Sequence, residues 1–240
     1  KLFGTIKTKY NKKNFDLTSI QKESIIKYNV KTDKYTLFVP YKIKNKDVKH
    51  NKSIISIDPG VRTFISGVTN CNVIEIGNNI QNKVKSILKK KDLVLSKKDI
   101  SNKQKKRYEL RINRKLLNLR DELHWKTINY LTKNYKRIII GDLNSKSIVS
   151  NNSNNLNKMT KRMVYFFSFF TFRQRLELKC KLRNNIYKLV NESYTSKVCS
   201  NCGYYKKNLG SSKRYKCDSC SLEIGRDING CRGIYVKSLM

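Results

Sequence analysis

Four cysteines in two closely spaced pairs are the residues of this chain best suited to hold a metal ion. The pairs are Cys199-x-x-Cys202 and Cys217-x-x-Cys220, with 14 residues between them. Each pair aims two thiolates at one point, and four thiolates complete a tetrahedral zinc site. A redox pair or two disulfides are the alternative, but a redox Cys-x-x-Cys usually occurs singly. The spacing therefore predicts a zinc ribbon held by Cys199, Cys202, Cys217 and Cys220.

Two acidic residues end buried β-strands that are predicted from runs of isoleucine. Asp58 ends the run that starts at Ile54, and Asp142 follows Gly141 at the end of a second run. Active-site residues often stand at strand ends, although Asp58 could equally serve only to start the turn at Pro59. Because side chains alternate along a strand, Asp142 is predicted to face away from the side of the sheet that Gly141 occupies.

Two further acidic residues bracket the predicted ribbon. Glu192 follows a short predicted strand, Ile186 to Val190, and Asp227 opens a predicted final helix that runs through Tyr235. A metal-held ribbon flanked by carboxylates is typical of a small domain inserted at the rim of an active site.

The chain carries far more positive charge than solubility requires. Its 240 residues include 53 Lys and Arg against 17 Asp and Glu, a formal net charge of +36. Such an excess indicates a polyanionic partner, and nucleic acid fits best, with an anionic membrane surface as the competing alternative. Because no stretch of about 18 apolar residues occurs, we expect no membrane-spanning segment and no membrane partner.

The cysteine content bears on the compartment in which the protein works. Seven cysteines, four of them in the ribbon, suit an intracellular reducing compartment, without distinguishing nucleus, cytoplasm and virion. The other three, Cys71, Cys180 and Cys231, are predicted to be packing residues. The sequence starts at Lys1 rather than at methionine, which is consistent with a fragment that lacks an upstream part. Nothing in the sequence indicates an oligomeric state.

The longest predicted helix, residues 78–134, carries dense basic charge. From Lys83 to Arg120 there are 15 basic residues against three acidic ones. An apolar stripe along the helix is predicted to pack, which leaves the basic residues on the opposite faces. A merely solvated face is the alternative, but charge of a single sign favours contacts with phosphate. The predicted nucleic-acid-binding residues are Lys105, Lys106, Arg111 and Arg114.

The order of predicted elements indicates an α/β fold. Three strands precede the long helix, and a strand, a helix, a strand, the ribbon and a final helix follow it. This order fits an RNase H-like core with an insert, preceded by an N-terminal β segment. The predicted divisions are an upstream β segment (1–50), the core with its basic helical insert (51–195), the zinc ribbon (196–224) and the final helix (225–240).

Four sequence segments together resemble a known family. The combination is similar to the transposon-encoded TnpB (OrfB) proteins, and still more to their eukaryotic and viral relatives called Fanzor, from about residue 50 to the end. The resemblance implies a RuvC-like nuclease core that cuts DNA chosen by a guide RNA, with residues 1–50 ending a wedge-like β domain. The segments are Ser56-Ile-Asp-Pro-Gly60, Ile138-Ile-Ile-Gly-Asp-Leu-Asn144, Tyr194-Thr-Ser-Lys-Val-Cys-Ser-Asn-Cys-Gly203 and Gly225-Arg-Asp-Ile-Asn-Gly230.

The resemblance also implies a set of catalytic carboxylates. The family's first catalytic Asp matches Asp58, and its last, in an Arg-Asp-x-Asn motif, matches Asp227. Its central Glu normally precedes Asp-Leu-Asn, where this chain has Gly141, which has no side chain. Fanzor-like proteins resemble this chain in placing a Glu just before Thr-Ser-Lys, and that residue is Glu192. The predicted catalytic set is therefore Asp58, Glu192 and Asp227, with Asp142 in reserve.

The chemistry of phosphodiester hydrolysis explains why such a centre needs carboxylates. Two divalent ions about 3.5–4 Å apart can hold the attacking water and the leaving oxygen in line. Mg²⁺ takes oxygen ligands, so Asp58, Glu192 and Asp227 are predicted to bind one or two Mg²⁺. The leading prediction is a metal-dependent, RNA-guided DNA endonuclease of a transposable element, with guide RNA and target DNA as partners. The alternatives are a nucleic-acid-binding zinc-ribbon protein with a decayed nuclease centre, and a strand-joining transposase.

Overall fold

A computed structural model describes residues 23–40, 52–143, 157–210 and 212–240. The chain divides into residues 1–43 and residues 44–240. In the first unit, strands β1 (Ile25–Asn29) and β2 (Lys34–Phe38) form an antiparallel hairpin. The predicted division at residue 50 lies outside the described residues, and the predicted four-part division of the chain stays a prediction.

The second unit is built around a five-stranded mixed sheet with the order β5-β4-β3-β6-β7. The central strand β3 is antiparallel to β4 and parallel to β6, which in turn is parallel to β7. This topology confirms the predicted α/β fold with an RNase H-like core. The strands are β3 (Lys52–Pro59), β4 (Ile65–Val68), β5 (Val73–Ile76), β6 (Tyr135–Gly141) and β7 (Ile186–Val190).

Five helices accompany this sheet in the described part of the chain. They are α1 (Ile80–Ser96), α2 (Asn102–Asn134), α3 (Lys158–Phe167), α4 (Phe169–Leu182) and α5 (Arg226–Lys237). None of the helices in the described residues combines the length and the hydrophobicity that a transmembrane segment needs.

The prediction of one continuous helix over residues 78–134 is wrong. The helix stops at Ser96, and α2 starts anew after Ser101, whose side chain accepts a hydrogen bond from the Gln104 N–H at 3.3 Å. The Gln104 side chain accepts one from the Ser101 N–H at 3.1 Å in return. This reciprocal capping box satisfies two amide groups at the start of α2 and fixes the break.

The single helix predicted between the last two strands of the sheet is in fact two helices, so this prediction is also wrong. Helix α3 starts earlier, after Asn157, whose side chain accepts from the Thr160 N–H at 2.8 Å. Helices α3 and α4 then meet at Ser168, whose left-handed backbone (φ 47°) cannot continue a right-handed helix.

The sheet buries both faces, because β3 and β6 alternate apolar residues between two cores. Ile55 and Ile57 belong to the larger core, which includes residues of α2, α3 and α4. Ile139 of β6 packs on the other face against Ile234 of α5. Ser56 also lies on that face, because its hydroxyl donates to the Cys231 carbonyl of α5 at 2.8 Å. Since side chains alternate, Asp58 points to the face that α5 covers.

The cysteines outside the ribbon are only partly as predicted. Cys180 and Cys231 are buried in the packed parts of the chain, as expected for packing residues. Cys71 is exposed between β4 and β5, so its predicted packing role is wrong.

Candidate active site

Three of the four candidate carboxylates converge at one cleft of about 360 Å³, which lies at the end of the central strand β3. Asp58, Glu192 and Asp227 all line it. Two arginines, Arg62 and Arg226, line the same cleft and bring positive charge beside the acids.

Asp58 of the central strand lies directly against Gly230 of the final helix. A Cβ atom built on Gly230 of α5 would lie 2.6 Å from Asp58 Oδ2, so only glycine leaves room for this carboxylate. Burial and the neighbouring charges of Glu192 and Asp227 raise the pKa of Asp58 well above its usual range, against a smaller opposing effect of Arg226. Repulsion among the three carboxylates therefore destabilises their ionised forms as long as no cation offsets the negative charge.

Glu192 fills the space that a side chain at position 141 would need. Gly141 pairs with Val190 in the parallel β6–β7 ladder, and Glu192 follows two residues later, on the same side as Val190. A Cβ atom on Gly141 would lie 2.6 Å from Glu192 Oε2 and 3.0 Å from Ile234 Cδ1. The Glu192 carboxylate, just after β7, thus occupies the space beside β6 that is open because Gly141 has no side chain.

The Glu192 carboxylate has the properties of a cation ligand. Its Oε2 atom is buried and has no hydrogen-bond partner among the described residues. Burial and the charge of Asp142 raise the pKa of Glu192 to about 7, against a smaller opposing effect of Arg173. A buried acceptor without a donor is costly unless a proton or a cation supplies the missing partner. Together with Asp58 and Asp227, this oxygen donor set fits a hard divalent cation such as Mg²⁺.

Asp142 does not line this cleft but holds the backbone that carries Glu192. Its Oδ1 atom accepts a hydrogen bond from the Glu192 N–H at 3.0 Å. Its own N–H donates to the Val190 carbonyl at 2.9 Å, which extends the β6–β7 ladder by one step. Asp142 therefore fixes the chain that leaves the end of β7.

The four predicted zinc ligands lie together in the ribbon, which contains strands β8 (Arg214–Lys216) and β9 (Glu223–Gly225). The Cys199 and Cys220 sulfurs are 3.7 Å apart, the Cys202 and Cys217 sulfurs are 3.6 Å apart, and all four lie within 4.8 Å of one another. A tetrahedral zinc with Zn–S bonds of about 2.3 Å has sulfur–sulfur edges of about 3.8 Å. The cluster is therefore compatible with one zinc ion.

Hydrogen bonds within the ribbon favour a thiolate at one of these cysteines. The Asn201 side-chain amide and the Leu222 backbone N–H lower the pKa of Cys220 to about 6. Beneath the sulfurs, the Tyr215 ring is fully buried and forms a small core with Cys199 and Cys217. The apolar content of the ribbon is small, so a bound metal would supply most of its stability.

Asn229 connects the ribbon to the active-site helix, a role that the sequence did not lead us to predict. Its side chain donates to the Val198 carbonyl at 2.8 Å and accepts from the Ser200 N–H at 3.0 Å. These hydrogen bonds hold the first cysteine pair against the turn of α5 that carries Asp227. Asn229 belongs to the Arg-Asp-x-Asn motif, and a side-chain amide near the start of a helix could have suggested hydrogen bonds to a neighbouring segment.

The predicted nucleic-acid-binding residues lie on the N-terminal half of α2. Lys106 and Arg111 are exposed, whereas Lys105 and Arg114 are half-buried. Two of the three acids in this region are already paired, Glu109 with Lys91 at 2.7 Å and Asp92 with Arg162 at 2.5 Å. Most of the basic charge is therefore left unbalanced. A groove of about 590 Å³ follows this surface, lined by Lys83, Arg111, Arg114, Lys115, Asn118, Leu119 and Glu122.

The sheet order, the C-terminal helix and the inserted four-cysteine ribbon define an RNase H-like protein of the RuvC type. The chain belongs to the OrfB (IS605) family, described as probable transposases, whose profile matches residues 26–152. A second profile, the Cas12f1-like TNB domain, matches residues 169–234. These matches confirm the predicted resemblance to TnpB (OrfB) proteins, and the closer resemblance to Fanzor stays a prediction.

Individual relatives agree with this assignment. A TnpB-like protein of Acanthamoeba polyphaga mimivirus is 34% identical over 228 residues, covering 91% of this chain and 44% of the relative. "Putative RNA-guided DNA endonuclease InsQ" of Escherichia coli (strain K12) is 27% identical over 200 residues, covering 78% of this chain and 49% of the relative. The chain thus spans about half the length of these relatives.

A solved structure supports the fold independently. The Cas12f1–sgRNA–target DNA complex contains a chain that superimposes with a TM-score of 0.56 at 19% identity. The match covers 79% of this chain and 51% of that one. At this level of identity, the similarity establishes the shared fold alone.

Proposed function

We propose that this chain is the nuclease half of a metal-dependent, RNA-guided DNA endonuclease carried by a transposable element. The observation that supports this most strongly is the convergence of Asp58, Glu192 and Asp227, with the Glu192 carboxylate filling the gap beside Gly141. Membership of the OrfB family and the name of the relative InsQ support the substrate class.

In this proposal Asp58, Glu192 and Asp227 are the Mg²⁺ ligands. When bound, one or two Mg²⁺ would polarise the scissile phosphate and activate water for hydrolysis. The chain's own residues keep the ligands in place: Asp142 fixes the Glu192 backbone at 3.0 Å, and Gly230 leaves room for Asp58.

The remaining surfaces have supporting roles in the proposal. The basic face of α2 binds the phosphates of guide RNA or target DNA without reading bases. A zinc ion in the ribbon fixes the chain between Glu192 and Asp227, since Asn229 joins the ribbon to α5. We also propose an intracellular reducing compartment, because free thiolates are needed to hold that zinc.

The test is a cleavage assay with the full-length protein, its guide RNA, a matched target DNA and Mg²⁺. Glu192→Gln keeps the size of the side chain and removes its charge, so it should abolish cleavage while binding of the guide persists. Asp142→Asn is the matched control, because its amide oxygen can still accept the Glu192 N–H, and it should be much milder.

Three other outcomes would reject parts of the proposal. A stronger loss in Asp142→Asn than in Glu192→Gln would reject the relocated glutamate. No cleavage by the unaltered protein with an intact guide would favour a nucleic-acid-binding protein with a decayed centre. Joined rather than cut strands would identify a transposase.

A further inference from the structure

Tyr194 is an exposed aromatic residue held in an unfavourable backbone conformation at the rim of the cleft. It lies between Glu192 and Thr195, both of which line the cleft. Its φ angle is 67°, in the left-handed region, where a bulky side chain is a genuine outlier. Its side chain is 62% exposed, so little burial offsets the conformational cost.

The turn around Tyr194 is held from several sides, which explains how the strained conformation persists. The Tyr194 carbonyl accepts hydrogen bonds from the Lys197 and Val198 N–H groups at 2.9 and 3.0 Å. The Thr195 N–H and hydroxyl both bind the Glu192 carbonyl, at 3.1 and 2.8 Å. Glycine or asparagine would satisfy the same turn with less strain. The tyrosine ring is therefore not required by the backbone.

The ring forms one half of an aromatic pair with the ribbon. Tyr194 and Tyr205 have ring centroids 5.9 Å apart in an edge-to-face arrangement, and Tyr205 is 44% exposed. The ammonium group of Lys197 lies 5.8 Å from the Tyr205 centroid. Exposed rings beside a lysine are the combination that holds unpaired nucleic acid, because bases stack on the rings and the cation meets the backbone.

We propose that Tyr194, supported by Tyr205, is a stacking platform for an unpaired nucleobase of the DNA strand that enters the cleft. This inference rests on the proposed function, since the cleft must take a nucleic acid strand. A base stacked on Tyr194 places its own phosphate next to the residues that line the cleft. The ring is a positioning group and takes no part in bond breaking.

The test uses the 240-residue chain loaded with zinc and a single-stranded DNA oligonucleotide that carries 2-aminopurine, in a buffer without Mg²⁺. Stacking quenches 2-aminopurine fluorescence, so the assay reports stacking on the ring as well as affinity. Tyr194→Asn tolerates the left-handed backbone and removes the ring. We expect it to lose most of the quenching and to bind roughly fivefold or more weakly. Tyr194→Phe should keep both.

Controls separate this inference from a structural role and from the proposed function. Thermal unfolding of Tyr194→Asn should show unchanged or higher stability, whereas a loss of stability would indicate that the ring merely packs the turn on the ribbon. Tyr165→Ala removes another exposed ring, on α3, and should leave quenching unchanged.

Equal quenching in the unaltered chain and Tyr194→Asn would overturn the stacking role alone. An unaltered chain that binds neither the DNA nor a matched RNA oligonucleotide would overturn the platform, whereas cleavage by the full-length protein with its guide RNA tests the proposed function separately. Preference for the RNA oligonucleotide would assign the platform to RNA.

Discussion

Replacing Glu192 with glutamine should make the protein more stable at pH 8 in the absence of divalent cations, even though it alters the active site. In the folded chain, burial and the charge of Asp142 raise the pKa of Glu192 from its ordinary 4.5 to about 7. The folded state therefore binds more protons than the unfolded state between these values. The free energy of unfolding consequently falls as the pH rises through this window, and Glu192→Gln removes that loss.

The size of the effect follows from the same values. Each pKa unit corresponds to about 1.4 kcal/mol, so the displacement from 4.5 to about 7 sets an upper bound of roughly 3 kcal/mol. Glu192 is only partly buried, and solvent screening reduces the contribution. We expect Glu192→Gln to raise the free energy of unfolding by about 1–2 kcal/mol at pH 8 and to change it little at pH 4.

Urea unfolding followed by circular dichroism measures this difference at the two pH values. Divalent cations should be removed from the buffer with a resin, because a free chelator would also extract zinc from the ribbon. Asp142→Asn is the matched control, because it removes the charge of Asp142 but leaves Glu192 buried. The loss of stability between pH 4 and pH 8 should therefore become smaller without disappearing. A Glu192→Gln variant less stable than the unaltered protein at pH 8 would refute the inferred burial of this carboxylate.

Three further predictions concern the ribbon, the gap beside β6 and the basic face. Metal analysis should find one zinc per chain, and Cys217→Ser should lose it together with stability on the order of 10 kcal/mol for the ribbon. Gly141→Ala should lower Mg²⁺-dependent cleavage because its Cβ would lie 2.6 Å from Glu192 Oε2; unchanged cleavage would show that the carboxylate acts from elsewhere. Each phosphate-binding side chain removed from α2 should reduce the slope of log affinity against log salt by roughly 0.7–0.9, and an unchanged slope would indicate a merely solvated face. The four positions to replace with glutamine are Lys105, Lys106, Arg111 and Arg114.

Some of the fold could be predicted because local sequence patterns determine it. The alternation of side chains along β3 predicts that Ser56 and Asp58 point to the same face of the sheet. In the structure, α5 packs on that face. The break before α2 was also predictable, since Ser101-x-x-Gln104 is a capping-box pattern that the apolar stripe obscured. The break at Ser168 could not be predicted, because serine has no local preference for a left-handed backbone. The flanking Phe167 and Phe169 hold the break in place because both are buried in the core.

The arrangement of the candidate site was less accessible from the sequence. The resemblance named Glu192, but its approach to the gap at Gly141 depends on the pairing of Gly141 with Val190 across two strands. Such a register involves residues far apart in the chain, because each strand must turn its apolar side chains toward the same buried core. The same holds for Asp142, whose role in holding the Glu192 N–H emerges only when the two strand ends are brought together.

Binding of Mn²⁺ to the zinc-loaded 240-residue chain, followed by electron paramagnetic resonance, tests the central claim most directly. Mn²⁺ accepts the same oxygen ligands as Mg²⁺ and reports binding without guide RNA, target DNA or cleavage. The unaltered chain should bind one or two ions, Glu192→Gln should bind them about tenfold more weakly or worse, and Asp142→Asn should lose much less. Unchanged binding in Glu192→Gln, or a greater loss in Asp142→Asn, would contradict a metal centre formed by Asp58, Glu192 and Asp227.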